Sequence, residues 1–151
     1  MRAGVTTQAD LEARRAWFLR IVRGEQERIR TYSELPARIA YFFADDTSVV
    51  FEPEAEKNAR KQLNAIATLG DYRIWLAESL LRGLGPAQLR EGTKAWVAAR
   101  GIKMPALFQP LRCALTGQAG GPDLFDLIDL LGGPHALARI DAAKVRLATP
   151  A

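Results

Sequence analysis

Apolar residues at helical spacing, cut at intervals by a glycine that can stop a helix and a proline that can start the next, constrain this chain more than any other feature. The run "RGLGP" closes at Pro86, one "GGP" closes at Pro122 and a second at Pro134. Glycine accepts the left-handed backbone that ends a helix, and proline lacks an N–H where the first helical turn has no partner for one. Between these marks the three- and four-residue apolar step of an amphipathic helix recurs. "TQADLEARRAWFLRIVRGEQERIR" (7–30) puts Leu11, Trp17, Phe18, Ile21 and Val22 on one side and charges on the other, which predicts a first helix. Thr31-Tyr32-Ser33-Glu34 has the spacing of a capping box. Pro36 falls in the first turn that follows, and Ile39, Phe42 and Phe43 supply its buried face.

"ADDTSVVFEP" (44–53) is the clearest interruption, polar turn residues around a short β-branched and aromatic patch, and reads as a connector and subdomain boundary. Beyond it the pattern predicts helices at 54–69, ending at Gly70, at 71–82, carrying Ile74, Leu76, Leu80 and Leu81, and at 86–100, ending at Gly101. "PDLFDLIDLL" should start a helix with Pro122 as its first residue, Gly132-Gly133 should stop it, and Pro134 should open a last helix reaching Leu147. No other run reads as a strand. The expected fold class is all-α, a helical bundle in two helical subdomains, residues 1–46 and 47–151.

Composition closes off several chemistries. The 151 residues are 48% hydrophobic and 25% charged, suited to one domain or two small ones. The net charge is only +4, yet sixteen of the 21 basic residues are arginine, whose planar fork suits phosphates and base edges. That permits nucleic acid without requiring it. One cysteine, Cys113, allows no internal disulfide, and with the single His135 it cannot build a zinc site of about four ligands. No apolar run approaches the ~18 residues of a membrane span, and the start lacks a signal-type apolar core, so a cytoplasmic location is expected. Gly83-Leu84-Gly85 begins like a dinucleotide-binding turn, but Gln88 stands at its last glycine position and no strand precedes it. Asp45-Asp46 and Glu52, Glu54 and Glu56 read as acids complementing helix starts rather than as a catalytic pair. Trp17, Trp75 and Trp96 sit on apolar stripes and read as core, Cys113 as a small buried hydrophobe, and His135 as a first-turn surface residue.

"QPLRCALTG" (109–117) holds a proline, a single arginine and a Thr116-Gly117 stop within nine residues. Arg112 can snorkel to the surface or pair with an acid such as Asp126. It can equally stand at a helix end beside a loop, able to donate to a base edge or phosphate.

The longer run "MPALFQPLRCALTGQAGGPDLFDLIDLLGGPHALARI" (104–140) resembles the end of bacterial glutamyl-tRNA synthetases. There a "QPLR-x-ALTG" segment, a short loop, a proline-headed "P-x-LF-x-x-x-x-LLG" helix and a terminal helix with arginine follow in order. Upstream, "ERIRTYSELPARIAYFFADD" (27–46) is similar to that family's "R-x-x-T-x-x-E" segment and its aromatic-rich continuation. The resemblance spans nearly the whole chain, from about residue 2. It implies the C-terminal anticodon-binding region of the family, an all-α cage of two helical bundles. On this reading residues 1–46 are the remainder of the first anticodon-binding subdomain and 47–151 the second.

The resemblance also implies residue roles. Arg112 matches the arginine of the "PLR" segment, which contacts the first anticodon base. Gly121, Pro122 and Leu124 match the loop-to-helix junction that meets the first two bases; the family commonly has a hydroxyl residue where Gly121 stands, so only backbone contacts are expected there. Leu124 is expected to offer an apolar stacking surface. Arg28 matches the arginine that, in discriminating members, reads the third anticodon base and disfavours glutamine tRNAs. The implied partner is tRNA-Glu, together with a catalytic synthetase domain in the full-length protein. That domain carries His-x-Gly-His-like and Lys-x-Ser-Lys-like motifs, which are absent here. The chain is therefore expected to be a piece of a longer protein that does not aminoacylate alone and holds no cofactor or metal; ATP and magnesium belong to the catalytic domain. Two rivals stay open, a helical protein-interaction module derived from the fold and a sequence-blind nucleic-acid binder.

Overall fold

The computed structural model describes residues 8–150, without the side chains of Asp10 and Leu11, so the expected placement of Leu11 lies outside the described residues. The chain divides into two compact units between Phe43 and Ala44. All regular structure among the described residues is helical.

In the first unit, α1 spans Gln8–Glu25 and buries Ile21. It stops before the predicted end at residue 30. Gly24 is a poor helix former, and the N–H groups of Arg28 and Ile29 both fold back on the Glu25 carbonyl, at 2.9 and 3.2 Å. The Glu25 carboxylate is buried and is paired with Arg38 Nη1 at 3.3 Å, as a buried charge requires. Residues 26–28 form a turn. The Glu34 carboxylate then accepts from the backbone N–H groups of Thr31, at 2.9 Å, and Arg30, at 2.6 Å. Those two bonds hold its carboxyl below the usual carboxylate range. A 3-10 turn, Tyr32–Glu34, leads into α2, Leu35–Ile39, with Pro36 in its first turn, and a second 3-10 stretch follows at Ala40–Phe43. Ile39, Tyr41 and Phe42 are buried. Trp17 stands edge-on to Phe42 and Phe43, with ring centroids 6.0 and 5.8 Å apart. Phe43 is nevertheless 59% exposed, against expectation: residues three apart eclipse one another in a 3-10 helix, which aligns Phe43 with exposed Ala40.

In the second unit, α3 (Pro53–Lys61) and α4 (Ala65–Leu81) are separated at residues 62–64, not at Gly70 as the sequence suggests. Asn64 takes the left-handed backbone, φ 57, which asparagine tolerates better than most residues. Gly70 stays inside α4, beside the Lys144 side chain. The buried face of α4 is Ala65, Thr68, Leu69, Tyr72, Leu76 and Ser79. That face leaves Ile74 and Leu81 outward, a second departure from the expected pattern. Pro86–Ala99 forms α5, and Met104–Thr116 forms α6.

Helix α6 is the central element. It packs against α3, α4, α5, α7 (Leu124–Leu131) and α8 (Gly133–Ala148). Its residues Leu107, Pro110, Leu111, Cys113, Ala114, Leu115 and Thr116 are all buried. Pro110 removes one helical hydrogen bond, a loss of about 3 kcal/mol in an ordinary helix interior, yet the helix continues through it with Pro110 buried. Arg60 of α3 donates to the last carbonyls of α8, Nη1 to Leu147 O at 3.0 Å and Nη2 to Arg146 O at 3.3 Å, supplying partners that a helix end lacks.

Candidate nucleic-acid interface

Thr116 closes α6 by donating its hydroxyl to the Arg112 carbonyl at 2.9 Å while accepting the Gln118 N–H at 3.0 Å. Gly117 follows in the left-handed region, φ 72, its N–H on the Cys113 carbonyl at 2.8 Å, which is a helix-ending geometry. Its own carbonyl accepts the Glu52 N–H at 2.7 Å. A Cβ at this position would run into the backbone of Val50, so the stop at Thr116-Gly117 is fixed by two constraints at once.

The next helix does not begin as the sequence reading expects. Asp123, not Pro122, is the N-cap of α7: its carboxylate accepts from the N–H groups of Phe125, at 2.9 Å, and Asp126, at 3.2 Å. An aspartate cap satisfies two orphan donors that proline at the first helical position cannot reach. Asp123 also contributes the first helical carbonyl, to the Leu127 N–H at 3.0 Å. The Pro122 carbonyl is thereby left outside the helix, and Arg112 Nη1 donates to it at 2.8 Å.

Arg112, Gly121 and Pro122 thus come together. Gly121 has φ 149, and a Cβ built there would lie 3.3 Å from Arg112 Nη1. A side chain at this position would be strained and would crowd the guanidinium. Leu124 departs from expectation: it is 2% exposed, its side chain packed inward, so it offers no surface on which a base could stack. In the first unit, Arg28 lies in the 26–28 turn and is exposed.

Sequence reasoning missed Arg90 and Arg139. Arg90 of α5 pairs with Asp123 Oδ1 through Nη2 at 3.0 Å and lies over the Phe125 ring, 5.5 Å from its centroid. The signal available was Asp123 itself, an N-cap residue directly before an apolar run. Arg139 of α8 is buried and donates from Nε to Asp46 Oδ1 at 2.9 Å, from Nη1 to Leu115 O at 2.8 Å and from Nη2 to Ala44 O at 3.0 Å. His135 Nδ1 meets the other Asp46 oxygen at 2.8 Å. Asp46 therefore anchors the connector to α8 instead of complementing a helix start. Burial opposes its charge, but the bonds from Arg139 and His135 outweigh burial and hold its carboxyl below the usual range.

The titratable groups inside this unit are built for packing. Burial pushes the Cys113 thiol up to about 12, with nearby Glu56 adding to the shift. Burial likewise pushes the Tyr72 phenol up to about 12, partly offset by its 2.8 Å bond to Thr93. Both stay protonated near neutral pH, and a protonated, buried thiol is not a nucleophile. Trp75 and Trp96 pack on Tyr72, at 5.4 and 5.2 Å between ring centroids. No helix among the described residues is long and apolar enough to cross a membrane.

Comparison with known proteins agrees with the helical fold. The family described as the anticodon binding domain matches residues 5–144. The glutamate–tRNA ligase of Elusimicrobium minutum is 35% identical over 130 residues, which is 85% of this chain and 25% of that protein. That of Afipia carboxidovorans is 34% identical over 138 residues, 91% of this chain and 28% of the relative. The chain therefore spans about a quarter of the length of such relatives. The crystal structure of a glutamate tRNA ligase from Elizabethkingia meningosepticum in complex with its amino acid has the same fold over 97% of this chain and 26% of its own, with TM-score 0.69 and 22% identity. The helical units, the matched residues and the relatives agree, and this chain belongs to the anticodon-binding domain family.

Proposed function

We propose that the chain recognises the anticodon of a tRNA for glutamate, as the anticodon-binding part of a glutamate–tRNA ligase whose glutamate, ATP and magnesium chemistry takes place in a separate catalytic domain. The observation that carries this reading is the Arg112 guanidinium fixed at the Gly121-Pro122 junction, 2.8 Å from the Pro122 carbonyl. Anticodon bases are unstacked and are read by side chains and backbone groups at their edges. A half-buried arginine set against a glycine without a side chain gives a base room to approach both a guanidinium and backbone. In this reading Arg112 contacts the first anticodon base, Gly121 and Pro122 contribute backbone and ring surface to the first two, and Arg28 reads the third. Leu124 supports the loop from within. The other arginines hold phosphates, which positions the RNA without reading it. Protein synthesis in the cytoplasm is the matching setting.

The reading is tested by binding of an anticodon stem-loop of tRNA-Glu to Arg112→Ala and Arg112→Lys proteins. A bidentate arginine contact discriminates bases by about 1–3 kcal/mol, so both variants should reduce preference for the natural first base by roughly 5- to 150-fold. Unchanged preference in both, or absence of binding by the unsubstituted chain, would remove Arg112 as the reader. Binding that follows salt but ignores the anticodon would instead mark a sequence-blind electrostatic binder.

A further inference from the structure

We infer that Arg90 and Asp123 form a positioning pair that sets the Arg112 guanidinium and so governs selectivity for the first anticodon base, an inference that rests on the function proposed above. One carboxylate holds three donors: the N–H groups of Phe125 at 2.9 Å and Asp126 at 3.2 Å, and Arg90 Nη2 at 3.0 Å. The two backbone bonds fix where α7 begins. The ion pair ties that point to α5, which packs against α7. Arg90 is steadied in turn by the Phe125 ring beneath it, 5.5 Å away.

The consequence passes through a single peptide. Pro122 directly precedes Asp123, and its carbonyl is the acceptor for Arg112 Nη1 at 2.8 Å. The Pro122 carbonyl and the Asp123 nitrogen lie in one planar peptide unit, so the direction of that carbonyl follows closely from where Asp123 is held. Moving the start of α7 swings the Pro122 carbonyl, and the Arg112 guanidinium moves with it. Arg90 acts on the reader only through this relay; it is a positioning residue and need not touch RNA. Displacing a reading group by about 1 Å can cost about a hundredfold in a precisely oriented site, so a small shift here appears in base selectivity before it appears in stability.

The test compares Arg90→Gln, Arg90→Lys, Asp123→Asn and Asp123→Ser in three measurements. These are the ratio of affinities for tRNA-Glu stem-loops with the natural and an altered first anticodon base, the exchange rate of the Arg112 Nη1–H by NMR, and thermal melting. Asp123→Asn is the discriminating variant. It keeps an oxygen to cap Phe125 and Asp126 but loses the charge that holds Arg90. A purely structural cap predicts no change in any readout for Asp123→Asn. The positioning role predicts a first-base preference lowered by roughly fivefold or more and a faster Arg112 exchange, with melting little changed. Arg90→Gln should match it, and Arg90→Lys should recover part of the preference because it restores the charge. Asp123→Ser gives the same comparison with a shorter cap if the asparagine protein does not fold.

The two ways of failing are separable. If Arg112→Ala loses first-base preference while Asp123→Asn and Arg90→Gln keep it, the positioning pair is wrong and the anticodon reading stands. If Arg112→Ala keeps the preference, Arg112 is not the reader of the first base; Arg112 Nη1–H exchange still decides the relay, and an unchanged rate in Asp123→Asn overturns it.

Discussion

Arg139 Nε donates to Asp46 Oδ1 at 2.9 Å, and the arginine side chain is only 2% exposed. Its other two nitrogens reach the Leu115 and Ala44 carbonyls, so one guanidinium joins the start of the second unit, the end of α6 and the middle of α8. Three oxygens around a planar fork satisfy a buried cation whose unpaired burial would cost several kcal/mol. Arg139→Ala leaves the Asp46 carboxylate and two carbonyls without this donor. Breaking a buried pair in this way costs about 3–5 kcal/mol. Arg139→Lys should recover little, since one ammonium cannot face three divergent acceptors. Urea denaturation midpoints of the two variants check this.

The same pair makes stability depend on acid. The Asp46 carboxyl is held below its ordinary value in the folded chain, despite burial, by Arg139 and His135. A folded-state value below the unfolded value means the unfolded chain binds the proton more readily. The contribution is therefore complete above the unfolded carboxylate value of about 3.9 and is lost as pH falls below it through the folded value. Asp46→Asn should lower stability at neutral pH and shrink the difference from the unsubstituted chain as pH falls through that window. Thermal melting from pH 6 to pH 3 (about the range spanned by carboxylate titration) measures it; an undiminished gap at the acid end would contradict the assignment.

Much of the fold is legible in the sequence, for reasons visible at particular residues. Pro86 and Pro134 lie in the first turns of α5 and α8, and Gly101 and Gly132 take positive φ just beyond α5 and α7, because these positions have few chemical alternatives. Gly70 misleads because its helix cost of about 1 kcal/mol is small beside the packing of α4 against α8. Asn64, with a weaker local preference, is where the chain turns. Pro122 misleads because proline and Asp123 compete to start the same helix, and only the aspartate supplies a capping oxygen. Arg112, Gly121 and Pro122 are singled out by the family resemblance, and their closeness in space follows from lying within one short segment. Arg139 is not, since its burial depends on oxygens from residues 44, 46 and 115, which sequence periodicity cannot bring together.

Gly117 should be the least replaceable glycine at a helix end. Its φ of 72 disfavours any side chain, and a Cβ would collide with the Val50 backbone. Gly101 has a comparable φ of 67 but open space around it. Gly101→Ala should therefore cost only about 1 kcal/mol from backbone conformation. Gly117→Ala should cost that plus about 1–3 kcal/mol for forcing atoms into a packed site. Parallel denaturation curves check the difference; equal losses at the two sites would show that the contact with Val50 is easily relaxed.

Arg28 offers a separation of function from stability. It is exposed in the 26–28 turn, so Arg28→Gln should shift stability by no more than about 0.5 kcal/mol. If Arg28 reads the third anticodon base, the same change should reduce the preference for glutamate over glutamine tRNA by roughly 5- to 150-fold. Competition binding between the two tRNAs measures it, with melting temperature as the control.

Whether this chain reads an anticodon is decided by fluorescence anisotropy. The chain is titrated with labelled tRNA-Glu and with the same tRNA carrying one altered anticodon base at a time, at low and at moderate salt. Anticodon reading predicts weaker binding to each altered tRNA, with the preference persisting as salt lowers affinity for all of them, because phosphate contacts are screened alike while base contacts are not. Equal affinity for natural and altered anticodons at both salt concentrations would contradict it.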